Sequence, residues 1–439
     1  MADGRRTAYE TLYKIEKSGA YSNLSLNSAL SGLADERERA FATALVYGTL
    51  ENKEIIDVQL NALTGKSVKK MQDSVRVILR MAVYQLVFMD KVPDSAAVNE
   101  AVKLSKKAAP QASGFVNGVL RTFIRNGKKL VLPEKSASLS AYLAAKYSCP
   151  CWIVDIWLNA YGEEKSESIL KTLAGRPPVY VRVNTAKTNS DDLTGIFEKQ
   201  GVKAKKAQLE NALEIEYTGA ADELPAYKDG LFHVQDIASQ ICCSVLNAKR
   251  GQNVYDVCAA PGGKTMTIAE MMENEGEIVS CDIYENRVKL IKDTANRLGL
   301  DIVAPTVRDA REKAQNADAD AVLCDVPCSG LGIIRRKPDI KSKTKSEISD
   351  LPALQREILC AASGLVKKGG TLVYSTCTLN PVENEENIEW FLSVNEDYEP
   401  YPFTLPEWTD KKQQDCMATL FPNADGCDGF FIARMRRKG

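Results

Sequence analysis

Along the first 125 or so positions, apolar residues recur every three or four residues. Ala8, Leu12 and Ile15 form one stripe. Ala40, Ala44, Val46 and Tyr47 form a second, and Val75, Ile78, Leu79, Ala82 and Leu86 a third. This spacing predicts amphipathic helices packed as a bundle. Ser-Asn, Leu-Ser-Gly and Val-Pro-Asp segments interrupt it. Asp94-Ser95, just after Pro93, is expected to cap the helix that holds Val98, Val102 and Leu104. After a connecting stretch at 130–136, short helices are expected near 138–147, 150–160 and 163–173. Alternating apolar and polar residues then predict strands at 179–184 and 213–217, with a helix at 191–200 between them. From about 236 the period switches back and forth. Strands are predicted at 253–258, 277–282, 302–307, 320–325, 370–376 and 430–435, and helices at 264–273, 285–298, 352–366 and 383–394. Strand–helix alternation of this kind predicts an open, mainly parallel sheet with helices on both faces.

Composition narrows the class. A chain of 439 residues that is 44% hydrophobic and 26% charged is globular and too long for one core. No apolar run reaches the roughly 18 residues that a membrane helix needs. The N-terminus lacks the apolar stretch of a secretory signal, so the twelve cysteines fit a reducing cytoplasm rather than a disulfide framework. Cys149-x-Cys151 and Cys242-Cys243 lack the paired spacing of a zinc site, and no metal is expected. The single histidine, His233, excludes His-rich metal sites and a Ser-His-Asp triad, and is expected to be a structural or surface residue. The net charge of −1 conceals an asymmetry. Residues 1–130 hold 20 Lys+Arg against 13 Asp+Glu, while the rest hold 37 against 45. A basic module joined to an acidic one points to a polyanionic partner, although a solvated lysine-rich helical surface would show the same surplus.

Ligands of such sheets bind outside the carboxyl ends of the strands. The loop 258–265, Cys-Ala-Ala-Pro-Gly-Gly-Lys-Thr, follows the first of these strands, and its small residues let backbone amides approach a ligand. Asp282 ends the next strand, where a carboxylate can grip ribose hydroxyls, and Asp309 ends the third, where an adenine amino group can be read. The loop fits neither Gly-x-Gly-x-x-Gly nor Gly-x-x-x-x-Gly-Lys-Ser/Thr, so a dinucleotide and a nucleoside triphosphate are both disfavoured. S-adenosylmethionine remains the best candidate.

Two cysteines follow apolar strands on the same side of the sheet. Cys328 lies in Asp325-Val326-Pro327-Cys328 and Cys377 in Ser375-Thr376-Cys377-Thr378. Carbon 5 of a pyrimidine is a poor nucleophile. A thiolate that adds to carbon 6 turns the ring into an enamine, and carbon 5 can then attack a methyl sulfonium. Asp325 is placed to stabilise the adduct through ring nitrogen 3. Spacing alone does not choose between the two cysteines.

These segments resemble the RNA 5-methylcytosine methyltransferases of the RsmB/Sun (Fmu) type, related to the eukaryotic NOP2/Sun group. The resemblance covers essentially the whole chain. It rests on 234–239 (Val-Gln-Asp-Ile-Ala-Ser), 256–265, 325–330, Arg335-Arg336-Lys337-Pro338-Asp339 and 375–378. It implies a NusB-like RNA-binding bundle at 1–127, an α+β middle domain at 128–235 and a Rossmann-like, class I methyltransferase domain at 236–439. It further implies that Cys377 is the nucleophile, that Cys328 assists product release as or near the base, and that Asp325 faces cytosine. Cys258, Ala259, Ala260, Pro261, Gly262, Gly263, Lys264, Asp282, Arg287, Asp309 and Asp325 would line the S-adenosylmethionine site. Arg335, Arg336 and Lys337 would contact RNA. The implied substrate is 16S ribosomal RNA, the implied location the cytoplasm, and a monomer is expected. Val326 stands where many relatives carry alanine, and the charged run 341–347 stands where a tryptophan is expected. An exocyclic-amine methyltransferase is disfavoured by Pro327-Cys328, which occupies the place of an Asp/Asn-Pro-Pro-Tyr motif. A non-catalytic RNA-binding factor is disfavoured by the intact cofactor loop and both thiols.

Overall fold

In the computed structural model the three-and-four spacing is realised as helices. The structure describes residues 3–18, 26, 28–175, 177–217, 219–313, 316, 318–409, 412–422 and 426–439. These divide into two compact units, 1–174 with 337–343, and 175–336 with 344–439.

The first unit is helical. Its helices include Gly4–Ser18, Glu36–Glu51, Lys53–Thr64, Asp73–Phe88, Asp94–Ala108, Ser113–Arg125, Leu139–Lys146 and Cys151–Lys171. Asp73–Phe88 is buried along most of its length and supplies both apolar clusters of the bundle. Ile78, Leu79 and Ala82 pack with Ile56, Leu60, Val116 and Phe123, whereas Val77 and Met81 pack with Ala8, Leu12 and Leu45. The Cys151–Lys171 span is broken at Gly162, in agreement with the two shorter helices expected there. Asp94-Ser95 does not cap the following helix. Pro93 takes the N-cap position without a side-chain bond, and Asp94 lies in the first turn, where its carboxylate receives Lys128 at 3.0 Å.

The central helix also buries charge. The Arg80 guanidinium forks onto Asp57 at 2.6 and 2.7 Å and reaches Glu16 at 2.9 Å, while Arg76 joins Glu16 to Asp73. The Arg80 side chain is only 6% exposed, so its removal leaves the largely buried Asp57 carboxylate without its guanidinium, while Glu16 keeps Arg76.

The second unit holds two sheets. β1 (Val179–Val183), β2 (Lys203–Lys206), β3 (Ala212–Glu216) and β4 (Phe232–Val234) form an antiparallel sheet of order β2-β3-β1-β4. The larger sheet contains β5 (Asn253–Asp256), β6 (Glu277–Asp282), β7 (Val303–Val307), β8 (Ala319–Asp325) and β9 (Val366–Thr376) as parallel neighbours in the order β9-β8-β5-β6-β7. Four strands extend it: β10 (Tyr398–Pro400), β11 (Lys412–Gln414), β12 (Met417–Leu420) and β13 (Phe430–Arg437). β13 pairs antiparallel with β9, β12 and β10, and β11 pairs with β12. The sheet is therefore mixed, and only β13 of this antiparallel edge was expected from the sequence. One face packs on Ile241, Met266, Ile268, Ile291 and Leu298, the other on Ile358, Leu359, Ile388 and Phe391. Burial on both faces explains the unbroken apolar run 321–324 of the central strand β8.

The smaller sheet is tied to the larger one by buried polar contacts. Arg182 of β1 meets Glu270 at 3.1 Å, and His233 of β4 lies against Thr267. His233 is 4% exposed, and burial lowers its basicity to a pKa of about 3, which agrees with a structural role. Two strand ends bear on the site. β9 starts at Val366, because its register with β8 jumps from Ala319↔Val366 to Ala321↔Thr371 and so absorbs the Gly369-Gly370 pair. β7 stops at Val307, which leaves Asp309 two residues beyond its end.

Replacing Arg80 with alanine is expected to destabilise the protein by about 3–5 kcal/mol, the cost of uncompensated buried charge. The measurement is the shift of the urea midpoint of the full chain.

Candidate active site

β5 and β8 are neighbours although two strands, β6 and β7, separate them in sequence, so the chain reverses direction across the sheet between them. Such a switch point opens a crevice at the carboxyl ends of the strands. The 257–263 loop leaves β5 on one side of this crevice, and 326–330 leaves β8 on the other.

The first loop is fixed from behind. Ala259 N–H donates to Cys281 O at 2.8 Å, and Arg287 Nη2 donates to Ala260 O at 2.9 Å. Gly262, at φ 104°, sits before the Gly263–Met271 helix in a conformation that L side chains rarely adopt. Below the loop Asp256 accepts the Thr265 hydroxyl at 2.7 Å, and burial raises its pKa to about 7. Asp282 is held by Arg287 at 3.1 Å and accepts Tyr284 N–H. Ile283 and Tyr284, which follow it, are 48% and 59% exposed and form an apolar lip. Cys258 is half-buried and Pro261 exposed at the loop's outer edge. Asp309 is paired with Arg311 at 2.6 Å, and that hydrogen bond holds its carboxyl below the usual range.

Lys264 leaves the first helical turn and crosses to β8. Its Nζ meets Asp325 Oδ2 at 2.7 Å and lies 5.0 Å from the Phe430 ring centre. Burial opposes its charge, but Asp325 more than offsets this, so the ammonium is held above its ordinary range. Ser375 of β9 donates to the other Asp325 oxygen at 2.8 Å.

The register of β8 with β9 sets the next feature. Asp325 pairs with Ser375, so the loops that leave these strands run side by side. They bring Cys328 Sγ to 3.3 Å from Cys377 Sγ. The hydrogen bond to Cys377, followed by burial, pushes the Cys328 thiol well above its ordinary pKa. Cys377 O accepts Gly332 N–H at 3.0 Å, and Gly332 O accepts Gly429 N–H at 2.9 Å. A Cβ on Gly332 would lie 2.0 Å from Gly429 O and 2.9 Å from Cys377 O, so this backbone contact admits no side chain.

The structure thus brings together the 258–264 loop, Asp282, Arg287, Asp325, Cys328 and Cys377. The basic triplet divides. Arg336 is committed internally: Nε donates to Asp428 at 2.6 Å, Nη2 to Asp236 at 2.7 Å and Nη1 to Pro178 O at 3.0 Å. Asp428, also tied to Asp236 through its N–H, is raised to about 6 by burial. Arg335 is half-buried, and burial lowers its pKa. Lys337 is exposed. Among the described residues, no group of three or more His, Cys, Asp or Glu side chains is arranged to hold a metal.

Sequence reasoning missed three contributors: the Ile283–Tyr284 lip, the Ser375 bond to Asp325, and Glu383 beneath the cysteine loops. The lip had a signal, since apolar residues continue past a strand end. Glu383 had none, because it was expected inside a helix that starts at 383. It stands instead in the Pro381–Glu383 turn before the Glu385–Val394 helix.

Family models match the chain in three places. These are 16S rRNA methyltransferase RsmB/F over 243–436, the NusB family over 2–125, and the RsmF/B-like ferredoxin-like domain over 149–221. A probable ribosomal RNA small subunit methyltransferase B of Bacillus subtilis is 39% identical over 99% of both chains. A ribosomal RNA small subunit methyltransferase B of Escherichia coli is 34% identical over 92% of this chain and 91% of its own. The crystal structure of PH0851 superposes with a TM-score of 0.81 at 28% identity over 99% of this chain and 98% of its own. NSun6 from Pyrococcus horikoshii, solved with SFG, gives 0.59 at 25% identity over 66% of this chain and 98% of its own. With full-length likeness, a NusB-like bundle, a ferredoxin-like module and the methyltransferase sheet in one polypeptide, the chain belongs to the 16S rRNA methyltransferase RsmB/F family and is an RNA methyltransferase.

Proposed function

We propose that this protein methylates carbon 5 of a cytosine in 16S ribosomal RNA through a covalent adduct between Cys377 and carbon 6. The observation that carries the proposal is the 3.3 Å thiol pair at the mouth of a cleft that also holds the Lys264–Asp325 ion pair. The cleft residues fit S-adenosylmethionine. Asp282 at the end of β6 suits ribose hydroxyls, its apolar lip suits an adenine face, and the 258–264 loop presents backbone amides to the rest. Asp309, paired with Arg311 just beyond β7, is the candidate for a second contact to the adenine edge. When bound, S-adenosylmethionine supplies the methyl group that carbon 5 takes.

The protein's own groups do the rest. The target base must leave its stack to reach both thiols. The Cys377 thiolate adds to carbon 6, and the ring electrons move toward carbon 5 and nitrogen 3. The Lys264–Asp325 pair, braced by Ser375, provides the proton or hydrogen bond that nitrogen 3 then requires. In the resting pair the contact with the Cys377 sulfur and burial raise the pKa of the Cys328 thiol, which favours its protonated form. Once that sulfur is bonded to carbon, the hold on the Cys328 proton is lost, and the proton can pass to solvent. Cys328 then takes the carbon-5 proton, the carbon–sulfur bond breaks, Cys377 leaves as thiolate, and any proton gained by nitrogen 3 returns to the Lys264–Asp325 pair.

Of the basic triplet, Arg335 and Lys337 remain the candidates for phosphate contact, since Arg336 is engaged internally. On the bundle, a cleft of about 570 Å³ between the Asp94–Ala108 and Ser113–Arg125 helices is lined by Asn99, Arg121, Thr122 and Arg125. Arg121 and Arg125 are exposed there, as an RNA-binding face requires.

Cys377→Ala is expected to abolish methyl incorporation into 16S RNA while S-adenosylmethionine still binds; retained turnover would refute the assignment. Cys328→Ala is expected to accumulate a protein–RNA adduct on a denaturing gel, with slow release. Charge reversal at Arg121 and Arg125 together should weaken RNA binding and reduce its log–log salt dependence by about 2, with cofactor affinity unchanged. Titrating RNA at several salt concentrations measures both.

A further inference from the structure

A carboxylate lies beneath the two cysteine loops with no cation paired to it among the described residues. Glu383 is fully buried. Its Oε2 accepts Ser329 N–H at 2.8 Å and Gln355 Nε2–H at 2.9 Å. Its Oε1 accepts the Ser329 hydroxyl at 2.5 Å and Asn380 Nδ2–H at 2.9 Å. Ser329 follows Cys328 directly, and Asn380 lies three residues beyond Cys377. One side chain therefore fastens both loops. Its backbone is fixed in turn, because Tyr374 of β9 donates its hydroxyl to Glu383 O at 2.6 Å.

The chemistry of the four contacts is specific. All are donated to Glu383, so the position demands a group that only accepts. Glutamine would present an NH₂ to two donors, and alanine would remove the shared acceptor, leaving Gln355 only Pro327 O and the Ser329 hydroxyl only Thr378 among these contacts. Burying a carboxylate without a counter-ion is costly, and a neutral clasp could tie two loops at less cost. The negative charge has a use beside the thiols, since Glu383 is among the groups that keep the proton on Cys328. We propose that Glu383 is a positioning residue for the two-thiol reaction, clasping the 328–330 and 377–380 segments so that the two sulfurs stay in contact.

This inference rests on the reading above for its effect on turnover, but the sulfur contact can be measured without RNA. Diamide, an azo-dicarboxamide oxidant, joins two thiols as a disulfide while its N=N bond takes up both hydrogens. Its rate with the Cys328–Cys377 pair, mapped by peptide mass spectrometry on the full chain, reports how often the sulfurs meet. In Glu383→Gln and Glu383→Ala this rate is expected to fall at least about tenfold and kcat about a hundredfold, with KM for RNA and S-adenosylmethionine affinity within about twofold. Preserved cofactor affinity separates lost positioning from general unfolding. Should either variant lose cofactor binding, Ser329→Ala with Asn380→Ala removes two of the four bonds while Glu383 stays. Slower disulfide formation in that double variant is then expected, and an unchanged rate overturns the proposal. Wild-type disulfide formation and kcat in a Glu383 variant that binds cofactor also overturn it. Slow disulfide formation with normal methylation would keep Glu383 as the clasp and refute the two-thiol reaction instead.

Discussion

The parallel pairing of β8 with β9 is the constraint from which the site follows. With Asp325 opposite Ser375, the first residues beyond each strand must run together, and both carry a cysteine. A slip of one residue would turn Asp325 away from Ser375 and carry the sulfurs apart. The register is guarded on both sides, by β5 against β8 and β13 against β9. The additional strands at the β13 edge thus keep the reacting strand in the sheet interior, where it has no free edge to slide along.

Charge is arranged around that pair in two layers. Lys264 and Asp325 neutralise each other at the crevice. Asp256 lies under the loop and Glu383 under the cysteines, each held by hydroxyl or amide donors rather than by a cation. Arg336, Asp236 and Asp428 form a third cluster that pins the basic loop to the smaller sheet through Pro178. Groups of this kind contribute rigidity where the reaction needs geometry.

Much of this was legible in the sequence, for identifiable reasons. β6 and the Glu285–Leu298 helix lie where their apolar periods predict, because burial alone sets those periods. β10, β11 and β12, at three or four residues, are too short to carry a period, so the antiparallel edge was not visible. The two thiols and the small-residue loop could be found because their chemistry is local. Arg336 could not be placed, because its partners lie 100 and 92 residues away and a run of basic residues looks alike whether it faces solvent or an internal acid. Glu383 was hidden by the adjoining helical pattern, which extends the apparent helix back over a turn led by proline.

The contact between Gly332 and Gly429 has a bearing on how this site can vary. A Cβ on either residue would strike the other, and one on Gly332 would also strike the carbonyl of Cys377. Neither glycine has any reactive group, yet a single methyl there would displace the sulfur that does. Tolerance to mutation at these two positions should therefore be low, and a survey of substitutions would mark as critical two residues that carry no side chain at all.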